Sequence, residues 1–222
     1  MLIVNYKNYK SGFADNGMAL SKLIAEANSE VYFAPPQVEL SRYSNMKNPA
    51  LSRLGVAQHV DVSEGERSTG FITPEILNNL GISFTIVNHA EHEISLEQIE
   101  STIKLCKKYS IKVFLCFKSI KQLELFRVFS PEYYVYEPEE LIGTKNSVVQ
   151  TQPETIENLR EMLEGKKLLI GAGINSEDDI RIAYEMKVDG LLLSSMVMEN
   201  GDPTSLLLNL INWEKKYAIH RF

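Results

Sequence analysis

Residues 136–145 read YEPEELIGTK. Pro138 has no N–H for a helical bond and drives the residue before it toward extended backbone, so Glu137 does not belong to a closing helical turn. The apolar run Tyr133-Tyr134-Val135-Tyr136 reads as a short strand and leaves Glu137 at its C-terminal tip. Other chemically capable residues follow other apolar runs. Asn5 and Lys7 come at and just after the end of the run 2–5, and a spacing of two sends both side chains off the same side of a strand. His89, Glu91, His92 and Glu93 come after the run 84–87, within NHAEHE. The segments GAGI (171–174) and SSM (194–196) end two further runs in small residues, among them Gly173, Ser194 and Ser195. Backbone N–H groups in such segments can approach a phosphate. The set holds a cation, a histidine, a carboxylate and anion-binding backbone, each at a different strand end.

Taken one at a time, these residues have plainer readings. A lysine near a terminus is most often solvated, GAGI is also an ordinary tight turn, and a Ser pair carries little information. An acid at a loop mouth can be merely solvated. His89, Glu91, His92 and Glu93 are metal-ligating types, but near-consecutive positions on a strand or turn rarely converge on one ion. What gives the set weight is its recurrence at strand ends, and that depends on the elements beneath.

The candidate strands are 2–5, 31–34, 55–58, 84–87, 112–117, 133–136, 167–171 and 190–194. Their apolar residues are continuous rather than alternating, as expected of parallel strands buried on both faces. Helix signals lie between them. Ser95 opens SLEQ, a capping-box pattern, and Leu96, Ile99, Ile103 and Cys106 then recur at helical spacing. Thr151 in TQPE and Ser176 in SEDD are further expected starts, and Thr73-Pro74-Glu75 places a proline just inside a short helix. Leu206, Leu210 and Trp213 give the last helix an apolar face. About eight strand–helix repeats without a composition shift predict a single domain over residues 1–222. Its fold would be a closed eight-stranded parallel (β/α)8 barrel, trimmed against the roughly 250 residues usual for that architecture. An open doubly wound sheet is the rival, and it lacks a GxGxxG after the first strand. In a barrel the C-terminal strand ends are where chemistry sits, which is where the candidate residues fall.

Composition narrows the classes. The chain has 222 residues, 44% hydrophobic and 23% charged, as in an ordinary folded protein. A formal net charge of -6 argues against a general nucleic-acid binder. Cys106 and Cys116 lie in apolar stretches and read as reduced, buried thiols. No apolar run approaches membrane-spanning length, so a soluble, cytoplasmic protein is expected.

The whole set resembles the triosephosphate isomerase family, and the short chain its compact archaeal form. NYK is similar to the family's Asn-x-Lys after the first strand, NHAEHE to its His-Ser-Glu segment, and YEPEELIGT to its Glu-Pro catalytic loop. AQHVD…STG (57–70) is similar to its third-strand loop, and GAGI and LLLSS fall where the family holds phosphate. The resemblance implies interconversion of dihydroxyacetone phosphate and glyceraldehyde 3-phosphate, a small phosphorylated triose substrate, with no cofactor and no metal. It implies Glu137 as the base, neutral His89 polarising the enediolate oxygens, Lys7 and Asn5 stabilising negative charge, and Glu91 holding Lys7. Backbone near Ile142, Gly143, Gly173, Ser194 and Ser195 would hold the phosphate, under a lid running from Pro138 to Lys145. Three departures stand out: Ala90 where the family usually has Ser, His92-Glu93 in place of an arginine pair, and Lys145 in place of Gly. The loop GERSTG (65–70) resembles the family's interdigitating loop and implies a homodimer, with a homotetramer as the larger alternative. The rivals are another phosphate-binding barrel isomerase or synthase, an inactive barrel acting as a binding subunit, and a metal-dependent hydrolase.

Overall fold

The computed structural model describes residues 1–27, 29–44 and 48–218. Among these residues there are eight strands: β1 Leu2–Asn5, β2 Val31–Ala34, β3 Val56–Ala57, β4 Phe84–Val87, β5 Lys112–Phe117, β6 Tyr133–Tyr136, β7 Leu168–Ile170 and β8 Gly190–Leu193. They form one sheet in the order β2-β1-β8-β7-β6-β5-β4-β3. All neighbours are parallel, and β8 returns to β1 with Leu2 opposite Leu191 and Val4 opposite Leu193. The remaining gap, between β2 and β3, is crossed by a parallel bridge from Phe33 to Gly55. This is the expected (β/α)8 barrel, nearly closed. β3 is shorter than the expected 55–58 because the Gln58 N–H donates to Gln37 Oε1 at 3.0 Å instead of extending a ladder.

The continuous apolar runs have a simple cause. Successive strand residues point to opposite faces, and here both faces are dry. Ile3, Val56, Ile86, Phe114, Cys116, Val135, Leu169 and Leu192 pack together in one cluster, the barrel interior. Their neighbours Val4, Ala57, Val87, Val113, Leu115, Tyr134, Ile170 and Leu193 belong to the larger shell shared with the helices. The alternation has a consequence at the strand tips. Counting on from the inward residues Ile3, Val135 and Leu169, the next inward positions are Asn5, Glu137 and Gly171. The barrel phase therefore delivers three polar or small residues to its own mouth.

Helix starts follow the expected chemistry in most places. Ser95 and Gln98 form a reciprocal capping box, as do Ser176 and Asp179, and Thr73 Oγ1 accepts from the Ile76 N–H with Pro74 in the first turn. Thr151 is a correction. It ends a short helix, Val148–Thr151, and its hydroxyl bonds back to the Ser147 carbonyl at 2.9 Å. The next helix, Pro153–Met162, starts on its proline with no side-chain cap. Leu96 is exposed, since it is the first residue of its helix and lies short of the face that Ile99 and Cys106 bury. In the last helix, Pro203–Tyr217, the buried stripe is Leu207, Leu210, Ile211 and Glu214, with Leu206 and Trp213 at its partly covered margins.

Candidate active site

Asn5, Lys7, His89, Glu137, Ile142, Gly143, Gly173, Ser194 and Ser195 line one pocket, together with Tyr9, Ala172, Ile174, Leu192 and Leu193. It holds about 490 Å³ counted out to its open mouth. Glu91, the remaining expected residue, lines the adjoining cleft with Asn5, Lys7 and His89. Every residue singled out from strand ends is thus brought to one end of the barrel.

Glu137 is 7% exposed, and its Oε2 has no hydrogen-bond partner. His89 Nε2 stands 3.4 Å from that oxygen. The carboxyl is pushed above its usual range, first by burial; nearby His89 and Lys7 and the Cys116 thiol oppose the rise, and Glu91 adds to it. Burial in turn lifts the Cys116 thiol well above its ordinary range, so the sulfur stays protonated beside the carboxylate. The space beneath Glu137 comes from Gly171. A Cβ built there would meet Glu137 Cγ and Oε1 at 2.8 Å each. Tyr136 pairs with Ile170 across β6 and β7, so Glu137 and Gly171 are the next residues of that same register.

His89 is held in one tautomer. Its Nδ1 accepts the Glu91 backbone N–H at 3.1 Å, which leaves the ring proton on Nε2, the nitrogen nearest Glu137. Lys7 Nζ donates to Glu91 Oε1 at 2.6 Å. The backbone of Lys7 is left-handed, with φ 45°, and its N–H donates to Asn5 Oδ1 at 3.0 Å. Strand alternation is therefore not what carries Lys7 into the pocket; a turn capped by Asn5 is. Gln58 steadies that turn by donating from Nε2 to the carbonyls of Lys7 and Ala34, each at 3.0 Å. Asn88, φ 61°, shapes the β4 loop: its Nδ2 donates to the Cys116 carbonyl and its Oδ1 accepts from Ile94 N–H, both at 3.0 Å.

The four acidic and histidine side chains of NHAEHE diverge. His89 meets Glu137, Glu91 pairs with Lys7, His92 stacks on His59 with ring centroids 4.0 Å apart, and Glu93 pairs with Lys118. Among the described residues no group of three or more His, Cys, Asp or Glu side chains is placed to hold a metal ion.

A family model described as Triosephosphate isomerase matches residues 1–212. The chain belongs to the triosephosphate isomerase family. It is similar to the triosephosphate isomerase of Methanobrevibacter smithii, 32% identical over 96% of this chain and 97% of that one. It is also similar to those of Methanopyrus kandleri, 32% identical over 95% and 96%, and Cenarchaeum symbiosum, 33% over 95% and 96%. No helix among the described residues is long and apolar enough to cross a membrane.

Of the positions expected to depart from the family pattern, His92 stacks on His59 and Glu93 pairs with Lys118, while Lys145 contributes its backbone carbonyl, which accepts from Asn175 Nδ2 at 2.7 Å. Sequence reasoning missed Gly171, Gln58, Asn88 and Tyr9. Strand phase alone points to Gly171, since it places a residue without a side chain next to an inward carboxylate. Gln58 and Asn88 act through backbone partners that leave no trace in spacing.

Gly171 has an ordinary backbone, so alanine fits the chain conformation there and collides only with the carboxylate. Gly171→Ala is expected to fold and to lose about 10²-fold in isomerase kcat, the scale of a 1 Å misplacement. Unchanged kcat would show that Glu137 does not react from this position. A second expectation concerns pH. A carboxyl raised in the folded state disfavours folding as pH climbs from its unfolded value near 4.5 through the raised one, and that cost persists above. Glu137→Gln should therefore melt higher than the parent at pH 7, with the difference shrinking toward zero near pH 4. A lower melting temperature for the Gln variant at pH 7 contradicts the burial argument.

Proposed function

We propose that the chain interconverts dihydroxyacetone phosphate and D-glyceraldehyde 3-phosphate by proton transfer through an enediolate. The observation that carries this reading is a buried carboxylate oxygen without a partner, facing a histidine Nε2–H, with a lysine in the same pocket. Glu137 removes the proton beside the substrate carbonyl and returns it to the neighbouring carbon. Burial raises its basicity toward what a carbon acid requires. The His89 Nε2–H and the Lys7 ammonium donate to the oxygens on which charge develops, and fixed donors of this kind need no reorganisation during the step. Asn5 and Glu91 hold Lys7 from its backbone and its side chain.

The phosphate is assigned to backbone N–H groups around Ile142, Gly143, Gly173, Ser194 and Ser195. Gly143 and Gly173 have φ of 73° and 69°. Gly173 also lacks room for a Cβ, which would come 1.8 Å from the Asn146 carbonyl oxygen at the far end of the lid. The lid from Pro138 to Lys145 shields the enediolate from water. The chemistry needs no cofactor, and a cytoplasmic setting suits the two free, buried cysteines. A phosphate-binding barrel of another kind would leave Glu137, His89 and Lys7 unused.

A coupled assay with glyceraldehyde 3-phosphate in EDTA tests the reading. The parent is expected to be active, and Glu137→Gln to lose roughly 10²- to 10⁴-fold in kcat, the contribution of a general base. A Gln variant with near-parent turnover would sink the mechanism.

We further propose a homodimer. The loop between β3 and the helix Pro74–Asn79 leaves Val62 and Phe71 exposed, at 44% and 47%. Light scattering at micromolar concentration should give twice the chain mass. A monomer there would defeat the assignment, and a tetramer would add a second interface.

A further inference from the structure

Glu139 and Glu140, the two acids after the Glu-Pro pair, take no part in the chemistry above, yet both are held from outside the lid. Lys118 Nζ donates to Glu139 Oε2 at 2.9 Å and also to Glu93 Oε1. Gln152 Nε2 donates to Glu140 Oε1 at 3.0 Å, while its own Oε1 accepts from Tyr136 OH at 2.7 Å. Lys118 follows directly on β5, and its backbone N–H donates to Gln122 Oε1 at 2.8 Å, so the base of the side chain is fixed. Glu93 lies on the β4 loop, four residues past His89. One ammonium thus ties the first turn of the lid to the loop that carries the histidine.

We propose that Lys118 is a positioning residue, an ionic clamp that holds the lid in the arrangement where Glu137, Ile142 and Gly143 line the pocket. The inference rests on the site assignment above. The lysine side chain is 35% exposed and Glu139 is 64% exposed, so the clamp is screened by salt and moderate in strength. Exposed pairs of this kind shift an equilibrium by about one- to fivefold. A lid held by such a pair stays able to open. Because apparent affinity scales with the fraction of binding-competent chain, weakening the clamp weakens any ligand that needs this arrangement of the lid.

Calorimetric titration with 2-phosphoglycolate, an acid of enediolate shape bearing a phosphate, tests this at 20 and 500 mM NaCl. Lys118→Met should bind about two- to fivefold more weakly than the parent at low salt, and the ratio should fall toward one at high salt. Lys118→Arg should restore most of the loss, and melting temperatures should agree within about a degree. Glu139→Gln is the deciding variant. Removing an acid attracts an anion by simple charge, so tighter binding would overturn the clamp, whereas weaker binding despite the lost negative charge supports it. The double variant should be no weaker than Lys118→Met alone, because Lys118→Met already breaks the contact that Glu139→Gln removes. Loss in Lys118→Met of less than about 1.3-fold, or full multiplication of the two losses, overturns the proposal. A parent that fails to bind the probe overturns the site assignment itself, which a parent that binds separates from the clamp.

Discussion

A carboxylate kept out of water is the constraint on which the rest of this structure turns. Glu137 is buried among groups that favour its charge, but not enough of them to cancel the desolvation. An isolated buried charge would simply stay protonated. Here His89 and Lys7 oppose the rise that burial imposes on the carboxyl. Each supporting feature can be traced to this requirement. Gly171 leaves the space, the Glu91 backbone N–H sets the histidine tautomer, and the Glu91 carboxylate accepts from the lysine ammonium.

The barrel meets this requirement through phase rather than through any special local motif. Parallel strands with both faces dry alternate between interior and helix shell, and the same count carried one step past the last strand residue sets Asn5, Glu137 and Gly171 at the mouth. The apolar interior below them, with Phe114 stacked between Phe84 and Tyr133, makes the mouth a rigid frame. Above it, the acids of the lid reach outward to Lys118 and Gln152 rather than inward to the pocket.

Much of this was legible in the sequence because its cause is local. Strand positions followed from continuous apolar runs, and Ser95, Ser176 and Thr73 announced their helices by capping chemistry. Glu137 was legible because a proline and an apolar run constrain it from both sides. Lys7 reached the right pocket for a different reason than spacing suggests, since a left-handed turn carries it there. Thr151 misled because a hydroxyl can bond backward to a carbonyl as readily as forward to an N–H. Gln58, Asn88 and Lys118 were dark because each has a partner that lies 21 to 51 residues away, and no periodicity encodes such a pair.

The left-handed residues draw a line between what the fold wants and what the pocket wants. Lys7, Asn88 and Ala172 all adopt a conformation that glycine takes without penalty, and all three sit at strand ends around the pocket. At Asn88 glycine would also delete the side-chain bonds to Cys116 and Ile94, but at Ala172 and Lys7 it would relieve the backbone. At position 7 that step deletes the cation, so the backbone there is locked into permanent disfavour by its own side chain. At that position one residue sets both the backbone strain and the pocket's positive charge, so relieving the first removes the second.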